Sequence, residues 1–506
     1  MSPDDPADLS KDPPPVPLHG VLVRAKNGDV IRYDSSGVVL RLADRVIEDI
    51  AMRLEGRFSA RAGAGVGPTS SEAGDLPQAL EDIDAWNIRA DGTGDIRFTA
   101  RLPGRQGLRD YRMDATGRHI VADTQGAVQA ILGIGGPRAA LANAREADYP
   151  FHILAPADDI GAVGVAGIER AARIDMLSPL REMTHEALVA EAFLGWQMEK
   201  HAPLPLFVVR TETDSSANAA ELAGGQALGN LLIAAENVKH AAARLGKPAR
   251  IRAVCLDFGL EDLGGSARQY RDAMLALMAR VEEEFAVLGF DRPLFVARFD
   301  AGRPGLVSDA VVEGQWELMW NHGDHRLLGS APGYMFGMDD YDRPTETARR
   351  HMAEMTAAAI AAEAAGTRHD DPLTRGWRCP ILHLAEWEGE SPVLRVVIRA
   401  QGDLTLIPSD EAGFVHPVGF RLEGPDVPRI ERIAIAPDDP QSLLLHLDRR
   451  PEGVGLHLCY GYGTPDPDVA RCAIRDGWSL LASDGWVLGR WAMPARLPVH
   501  DGAIAG

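Results

Sequence analysis

Leu256-Asp-Phe-Gly-Leu-Glu-Asp262 is preceded by an apolar run, Ile251-Arg-Ala-Val-Cys-Leu256, and followed by a stretch from Ser266 to Leu288 with apolar residues at three- and four-residue spacing. The run reads as a strand and the stretch as a helix, so the heptapeptide is the loop that leaves the carboxyl end of a strand. Three further apolar runs share this grammar: Phe151-His-Ile-Leu-Ala155, Leu206-Phe-Val-Val209 and Leu294-Phe-Val-Ala297. A helical pattern spans Gln226 to Leu245, and an Ala-rich one, Pro344 to Ala365, closes the unit. Strands alternating with helices of this length predict a three-layer α/β domain over residues 149 to 366, with a parallel sheet covered on both faces.

On either side of this domain the pattern is β-rich. Between residues 20 and 148 one motif recurs: Ile31-Arg-Tyr-Asp-Ser-Ser-Gly37, Ile88-Arg-Ala-Asp-Gly-Thr-Gly94 and Tyr111-Arg-Met-Asp-Ala-Thr-Gly117. Asp three residues before Gly is turn chemistry, and it predicts hairpins in a small attachment-type module, with a helix at Leu40 to Leu54 beside them. After residue 366, short runs such as Leu394-Arg-Val-Val-Ile398, Leu443-Leu-Leu-His-Leu447 and Leu456-His-Leu-Cys-Tyr460 are separated by Pro, Gly and Asp. They predict a jelly-roll-like β-sandwich over residues 367 to 506. Residues 1 to 19 are acidic and Pro-rich, and read as a flexible tail.

With 506 residues the chain exceeds what one core supports. Its net charge of -21 argues against nucleic acid as a partner, because binding a phosphate backbone needs clustered Lys and Arg. The four cysteines, Cys255, Cys379, Cys459 and Cys472, have no metal-ligand spacing, so neither a metal nor another cofactor is expected. No run approaches the ~20 apolar residues of a membrane span, and no secretory signal is visible. The expectation is a protein made in the cytoplasm and released by lysis or by assembly into a particle.

The opening heptapeptide resembles the W-x-Q-G-E-x-D motif of the SGNH/GDSL hydrolases, in their sialate O-acetylesterase-like branch. Gly259 and Asp262 match it, while Leu256, Phe258 and Leu260 replace its Trp, Gln and Glu. Asp340-Tyr-Asp-Arg343-Pro-Thr345 is similar to the family's D-x-x-H-x-T, with Asp340 on the Asp and Arg343 on the base. Ser178-Pro-Leu-Arg-Glu182 resembles a P-L-R-E stretch of phage-borne members. The family's nucleophile motif, G-Q-S-x-x-x-G, belongs after the first strand, where Ala155-Pro-Ala-Asp-Asp-Ile-Gly161 puts Ala157 or Asp158 at the nucleophile. The resemblance therefore implies a chain without the nucleophile, the oxyanion donor or the base. A phenyl ring at Phe258 forgoes about 2.7 to 4 kcal/mol of transition-state stabilisation, and Arg343 stays protonated and cannot act as a base.

Two classes of function follow. In the first the chain is not an enzyme: the inherited cleft binds cell-surface polysaccharide, as part of a spike or fibre of a phage or gene transfer agent, oligomeric and in contact with other particle subunits. Aromatic stacking and charged hydrogen-bond partners then make Trp316, Trp320, Tyr334 and Tyr341 candidates, with Asp158, Arg181, Asp262, Asp340 and Arg343. In the second the chain is an active carbohydrate O-acetylesterase with relocated groups, Asp158 or Asp159 working with His322 or His325. A purely structural particle component is the third reading.

Overall fold

The computed structural model describes residues 20–25, 28–34, 37–40, 80, 83–92, 94–257, 265–299, 308–340, 343–366, 376–452, 455–465 and 468–501. The acidic tail, residues 41 to 54 of the expected Leu40 to Leu54 helix, and Phe258, Gly259, Asp262 and Tyr341 fall outside them, and Leu40 is in a strand. The chain divides into two units, Met1–Asp75 and Leu76–Gly506. In the first, β1 (Gly20–Ala25), β2 (Gly28–Asp34) and β3 (Gly37–Leu40) pair antiparallel in that order.

The second unit opens with β4 (Ala85–Ala90), β5 (Ile96–Arg101), β6 (Leu108–Met113) and β7 (Ile120–Ala122), an antiparallel sheet in sequence order. The three Asp-to-Gly repeats join β2 to β3, β4 to β5 and β6 to β7. At the last, the Asp114 carboxylate accepts from the amides of Arg118 and His119 at 2.9 Å, and Gly117 takes φ +75°. The turn thus needs an acceptor side chain first and a residue free to enter left-handed space last.

The α/β layer contains β8 (Val128–Gly135), β9 (Ile153–Pro156), β10 (Val163–Val165), β11 (Leu177–Pro179), α1 (His185–Glu199) and β12 (Leu206–Thr213). It continues with α2 (Ala219–Leu222), α3 (Gln226–Arg244), β13 (Ala249–Asp257), α4 (Ala267–Val287) and β14 (Phe295–Phe299). It ends with α5 (Asp309–Leu318), β15 (Leu327–Pro332) and α6 (Glu346–Gly366). The sheet order is β11-β9-β12-β8-β13-β14-β15 with β10 beside β12, and every strand but β11 is parallel to its neighbours. Alternate residues of β8 supply the two faces: Ala130, Leu132 and Ile134 pack with α3 and α4, and Ile131 packs with α1 and α6.

Here the structure corrects the expected boundary at residue 148 and the expected first strand at residue 151. The first strand of the sheet is β8, and it is central: Val128 to Gly135 pair with Leu206 to Thr213 on one side and with Ala249 to Asp257 on the other. The strand at residue 153 lies outside β12, next to the antiparallel β11.

The carboxyl-terminal part holds β16 (Ile381–Trp387), β17 (Val393–Arg399), β18 (Thr405–Pro408), β19 (Phe420–Glu423) and β20 (Ile430–Ala436). β21 (Asp439–Leu447), β22 (His457–Tyr460), β23 (Cys472–Leu481), β24 (Val487–Trp491) and β25 (Ala495–His500) complete it. A seven-stranded sheet, β19-β22-β25-β16-β17-β21-β20, and a three-stranded one, β18-β23-β24, share a core that includes Leu394, Phe420, Ile474 and Trp491. This part is fastened to the α/β layer by polar contacts: Trp316 Nε1 donates to the Leu382 carbonyl at 2.6 Å, and His351 Nε2 lies 2.8 Å from the Asp484 carboxylate. Among the described residues, no helix is long and apolar enough to cross a membrane.

Candidate functional site

Parallel strands end together, so their carboxyl edge gathers side chains from segments far apart in sequence, and ligands of open α/β sheets bind at that edge. β8 ends at Gly135 and β13 at Asp257, side by side. The Gly136 amide donates to the Asp257 carbonyl at 3.3 Å, and a Cβ on Gly135 would lie 2.6 Å from Ala139 Cβ and 2.7 Å from the Asp257 carbonyl oxygen. The end of the central strand therefore has no room for a side chain, and Gly136-Pro-Arg138 follows with no hydroxyl or thiol. Gly135→Ser is expected to cost about 1 to 3 kcal/mol, read as a lower midpoint in urea unfolding.

Beside this contact lies a cavity of about 20 Å³, lined by Arg138, His185, Asp257, Arg298, Arg349 and Met352, among others. A space of that size holds one water molecule. Arg138 comes from the loop after β8, His185 from the start of α1, Asp257 and Arg298 from β13 and β14, and Arg349 from the first turn of α6. The Thr184 hydroxyl accepts from the Ala187 amide at 3.2 Å, which fixes the start of α1 and hence the position of His185.

Arg298 and Asp257 form an ion pair at the cavity wall. His185 is buried; its Nε2 is 3.1 Å from the Thr356 hydroxyl, and its Nδ1 has no hydrogen-bond partner. Burial, and then the charge on Arg298, hold its pKa well below the usual histidine value, so the ring is neutral. Arg298 Nε and Arg349 Nε are also buried without acceptors. Behind the wall the Thr211 hydroxyl donates to Glu186, whose pKa is raised by burial, and the Cys255 thiol beside it is pushed well above its ordinary value by burial and then by Glu186. Gly133 makes room for that carboxylate: a Cβ there would lie 2.3 Å from Glu186 Oε1. Buried polar atoms without partners are rare in folded proteins, and here three residues that carry them line a water-sized space together with one paired carboxylate. Such an arrangement can receive negative charge that develops on a bound group.

The residues singled out in the sequence are scattered. Ala157 and Asp158 follow the outer strand β9, and the Asp158 side chain is buried against Arg210. His322 and His325 precede β15 and so lie at the amino edge of the sheet, whereas Asp158 lies at the carboxyl edge. A strand of ordinary length, about 17 to 20 Å, separates the two edges, so the expected pairing of Asp158 or Asp159 with either histidine is corrected. His325 faces Glu282 instead, at 3.0 Å. Arg181 is exposed, with its guanidinium 3.0 Å from the Asp159 carbonyl. Tyr334 is core, with its hydroxyl donating to the Ala492 carbonyl at 2.5 Å. Trp316 and Trp320 pack edge to face, and Trp320 meets His383 of β16 at 4.2 Å between ring centres. Asp340 is exposed, and Arg343 pairs with Asp339 at 3.2 Å. These placements bury Asp158 and Tyr334 away from any open site, and Trp316 is half-buried with its Nε1 held by Leu382. The cavity residues Arg138, His185, Arg298 and Arg349 were not singled out in the sequence, and Asp257 was quoted without a role. Among the described residues no group of His, Cys, Asp or Glu could hold a metal ion.

No family model matches the chain, and no curated protein is significantly similar to it. Among solved structures it is similar to a carbohydrate acetylesterase from Xanthomonas citri, XAC1771, with 13% identity over 79% of this chain and 95% of that one, at a TM-score of 0.46. It is also similar to NanS, with 9% identity over 47% of this chain and 98% of that one, at a TM-score of 0.32. Est24, a carbohydrate acetylesterase from Sinorhizobium meliloti, matches with 13% identity over 46% of this chain and 99% of that one, at a TM-score of 0.27. The expectation of a chain that is not an enzyme is corrected on this finding: the solved structures it is similar to are described as carbohydrate acetylesterases. No residue role is carried over from these structures, and roles are read from this chain's own geometry.

Proposed function

We propose that the chain is an ester hydrolase whose reacting groups sit in the cavity at the carboxyl ends of β8 and β13, and that its substrates are O-acetylated carbohydrates. The observation that supports this most is that Arg298, Arg349 and His185, each with a buried ring or guanidinium nitrogen that has no partner (Nε, Nε and Nδ1), line a water-sized space beside Asp257. The carbohydrate class rests on the sequence resemblance around Gly259, Asp262 and Asp340, and it suits the cell-surface polysaccharide expected as a partner.

In this reading water is the nucleophile. Its oxygen attacks the acyl carbon while the Asp257 carboxylate takes its proton, and Arg138 and Arg349 meet the oxyanion of the tetrahedral intermediate. Neutral His185 orients the water through Nδ1. Collapse breaks the bond to the alcohol oxygen, which recovers the proton from Asp257, and the products are an alcohol and acetic acid, which releases its remaining proton to solvent as acetate. The test is p-nitrophenyl acetate hydrolysis by the purified chain. Turnover above buffer that falls about 10²- to 10³-fold in Arg349→Met, the size of effect for losing one oxyanion donor, is the expected result. Turnover equal to buffer overturns the reading.

A further inference from the structure

We propose that the amino edge of the same sheet carries a second site, an anion-binding groove that takes a carboxylate-bearing oligosaccharide. Two adjoining hollows of about 280 and 270 Å³ share Leu294, Arg326 and Glu363. Each is close to the lower size limit of small-ligand pockets, roughly 300 Å³. Arg250, Arg252 and Arg292 line one, and His322, His325 and Arg378 line the other.

The carboxylates lining the hollows are Glu363 and Asp291. Glu363 lies 3.4 Å from Arg326, while Arg292 and His325 share the nearby Glu282 at 2.9 and 3.0 Å. Arg250, Arg252 and Arg378 are left with no carboxylate in ion-pair range among the described residues. In a chain of net charge -21 an exposed arginine has carboxylates all around it, and the other arginines of this groove are paired.

Arg252 is held in place while unpaired. Its Nη1 donates to Gln129 Oε1 at 2.9 Å, its guanidinium lies 4.4 Å above the Phe193 ring, and its Nε is buried without an acceptor. His322 Nδ1 is likewise buried without a partner. Burial, and then the neighbouring Arg250, lower the pKa of Arg252; burial, and then Arg399, lower that of Arg378. Cations that repel one another in a half-buried groove are relieved by an anion. The planar guanidinium fork suits a carboxylate held by two parallel hydrogen bonds. Two hollows, each with unpaired arginines, match a ligand that repeats its charge along a short chain. The saccharide part of this inference rests on the proposed esterase reading; the anion part does not.

The test is calorimetric titration of the whole chain with trigalacturonate, with neutral maltotriose and pyrophosphate as comparisons, and of the double variant Arg250→Gln, Arg378→Gln. Both side chains are exposed, so the variant keeps its fold, which its melting temperature checks. Expected are binding of trigalacturonate but not maltotriose, at least tenfold weakening in the variant, and p-nitrophenyl acetate turnover unchanged. Absence of trigalacturonate binding, or equal binding by the variant, overturns the groove. Pyrophosphate binding as tightly as trigalacturonate overturns its assignment to a saccharide. If the esterase reading alone fails, ester turnover is absent while trigalacturonate binding and its loss in the variant remain.

Discussion

Asp257→Asn lowers acetyl-ester turnover by about 10²- to 10⁴-fold, the range for loss of a positioned general base. Asparagine keeps the shape and one acceptor oxygen toward Arg298, so the cavity keeps its walls while the group that takes the proton is gone. Some stability is lost as well, because Arg298 then faces an amide instead of a charge. The measurement is therefore turnover per folded molecule, with folded fraction taken from circular dichroism. The pH profile carries a second signature. His185 is held well below the ordinary histidine range by burial and by Arg298, so it stays uncharged as pH falls through 6.5. Activity that depends on its neutral ring declines only at more acidic pH, and no histidine limb appears near 6.5. Unchanged turnover per folded molecule in Asp257→Asn would remove this carboxylate from the reaction.

Elements whose burial pattern is local were legible in the sequence. The runs at Leu206 and Ile251 lie in β12 and β13, and the spacings at Gln226 and Ser266 read as helices that the structure places at Gln226–Arg244 and Ala267–Val287. β8 was not legible for a physical reason. Gly133 and Gly135 look like turn residues, yet they are there because Glu186 and Asp257 occupy the space of their side chains. Taking β9 for the first strand also placed the expected nucleophile, Ala157 or Asp158, after an outer strand of the sheet rather than after its central one. The cavity had no local signature at all, because its residues come from five separate segments that meet only when the strands align. Arg138, Arg298 and Arg349 look like surface residues in the sequence, and only the sheet brings them to one edge. The interval between Asp340 and Arg343 keeps the D-x-x-H spacing, but Arg343 pairs with Asp339 in the structure. Trp316 and Trp320 do lie on one side of α5 and its end. The side they share packs on the β-rich domain.

Arg210→Ala destabilises the fold by about 3 to 5 kcal/mol, the cost of removing one partner from a buried ion pair. Arg210, Asp158 and Glu212 have fully buried side chains: Arg210 pairs with Asp158, and its Nε is 3.7 Å from Glu212 Oε1. Without the guanidinium, two carboxylates share a dry site, with only Asn230 Nδ2 donating to Glu212 at 3.2 Å. A Cβ on Gly164 would lie 2.2 Å from Glu212 Oε2, so the carboxylate has no room to swing away. One cation already serves two acids in the parent, and the consequence is measurable. Burial pushes Glu212 up to about 7 from 4.5, against the opposing pull of Arg210. A carboxyl raised in the folded state binds its proton more tightly there than in the unfolded chain. Its contribution to stability is therefore complete below pH 4.5 and is lost as pH rises through about 7. Urea unfolding at pH 5 and pH 8 is expected to show that fall in the parent and a smaller one in Glu212→Gln. Asp158→Asn tests the same cluster from its other end: it lowers the unfolding midpoint while turnover per folded molecule stays at the parent value. Loss of turnover at full stability would instead return Asp158 to the chemistry, which its complete burial against Arg210 argues against.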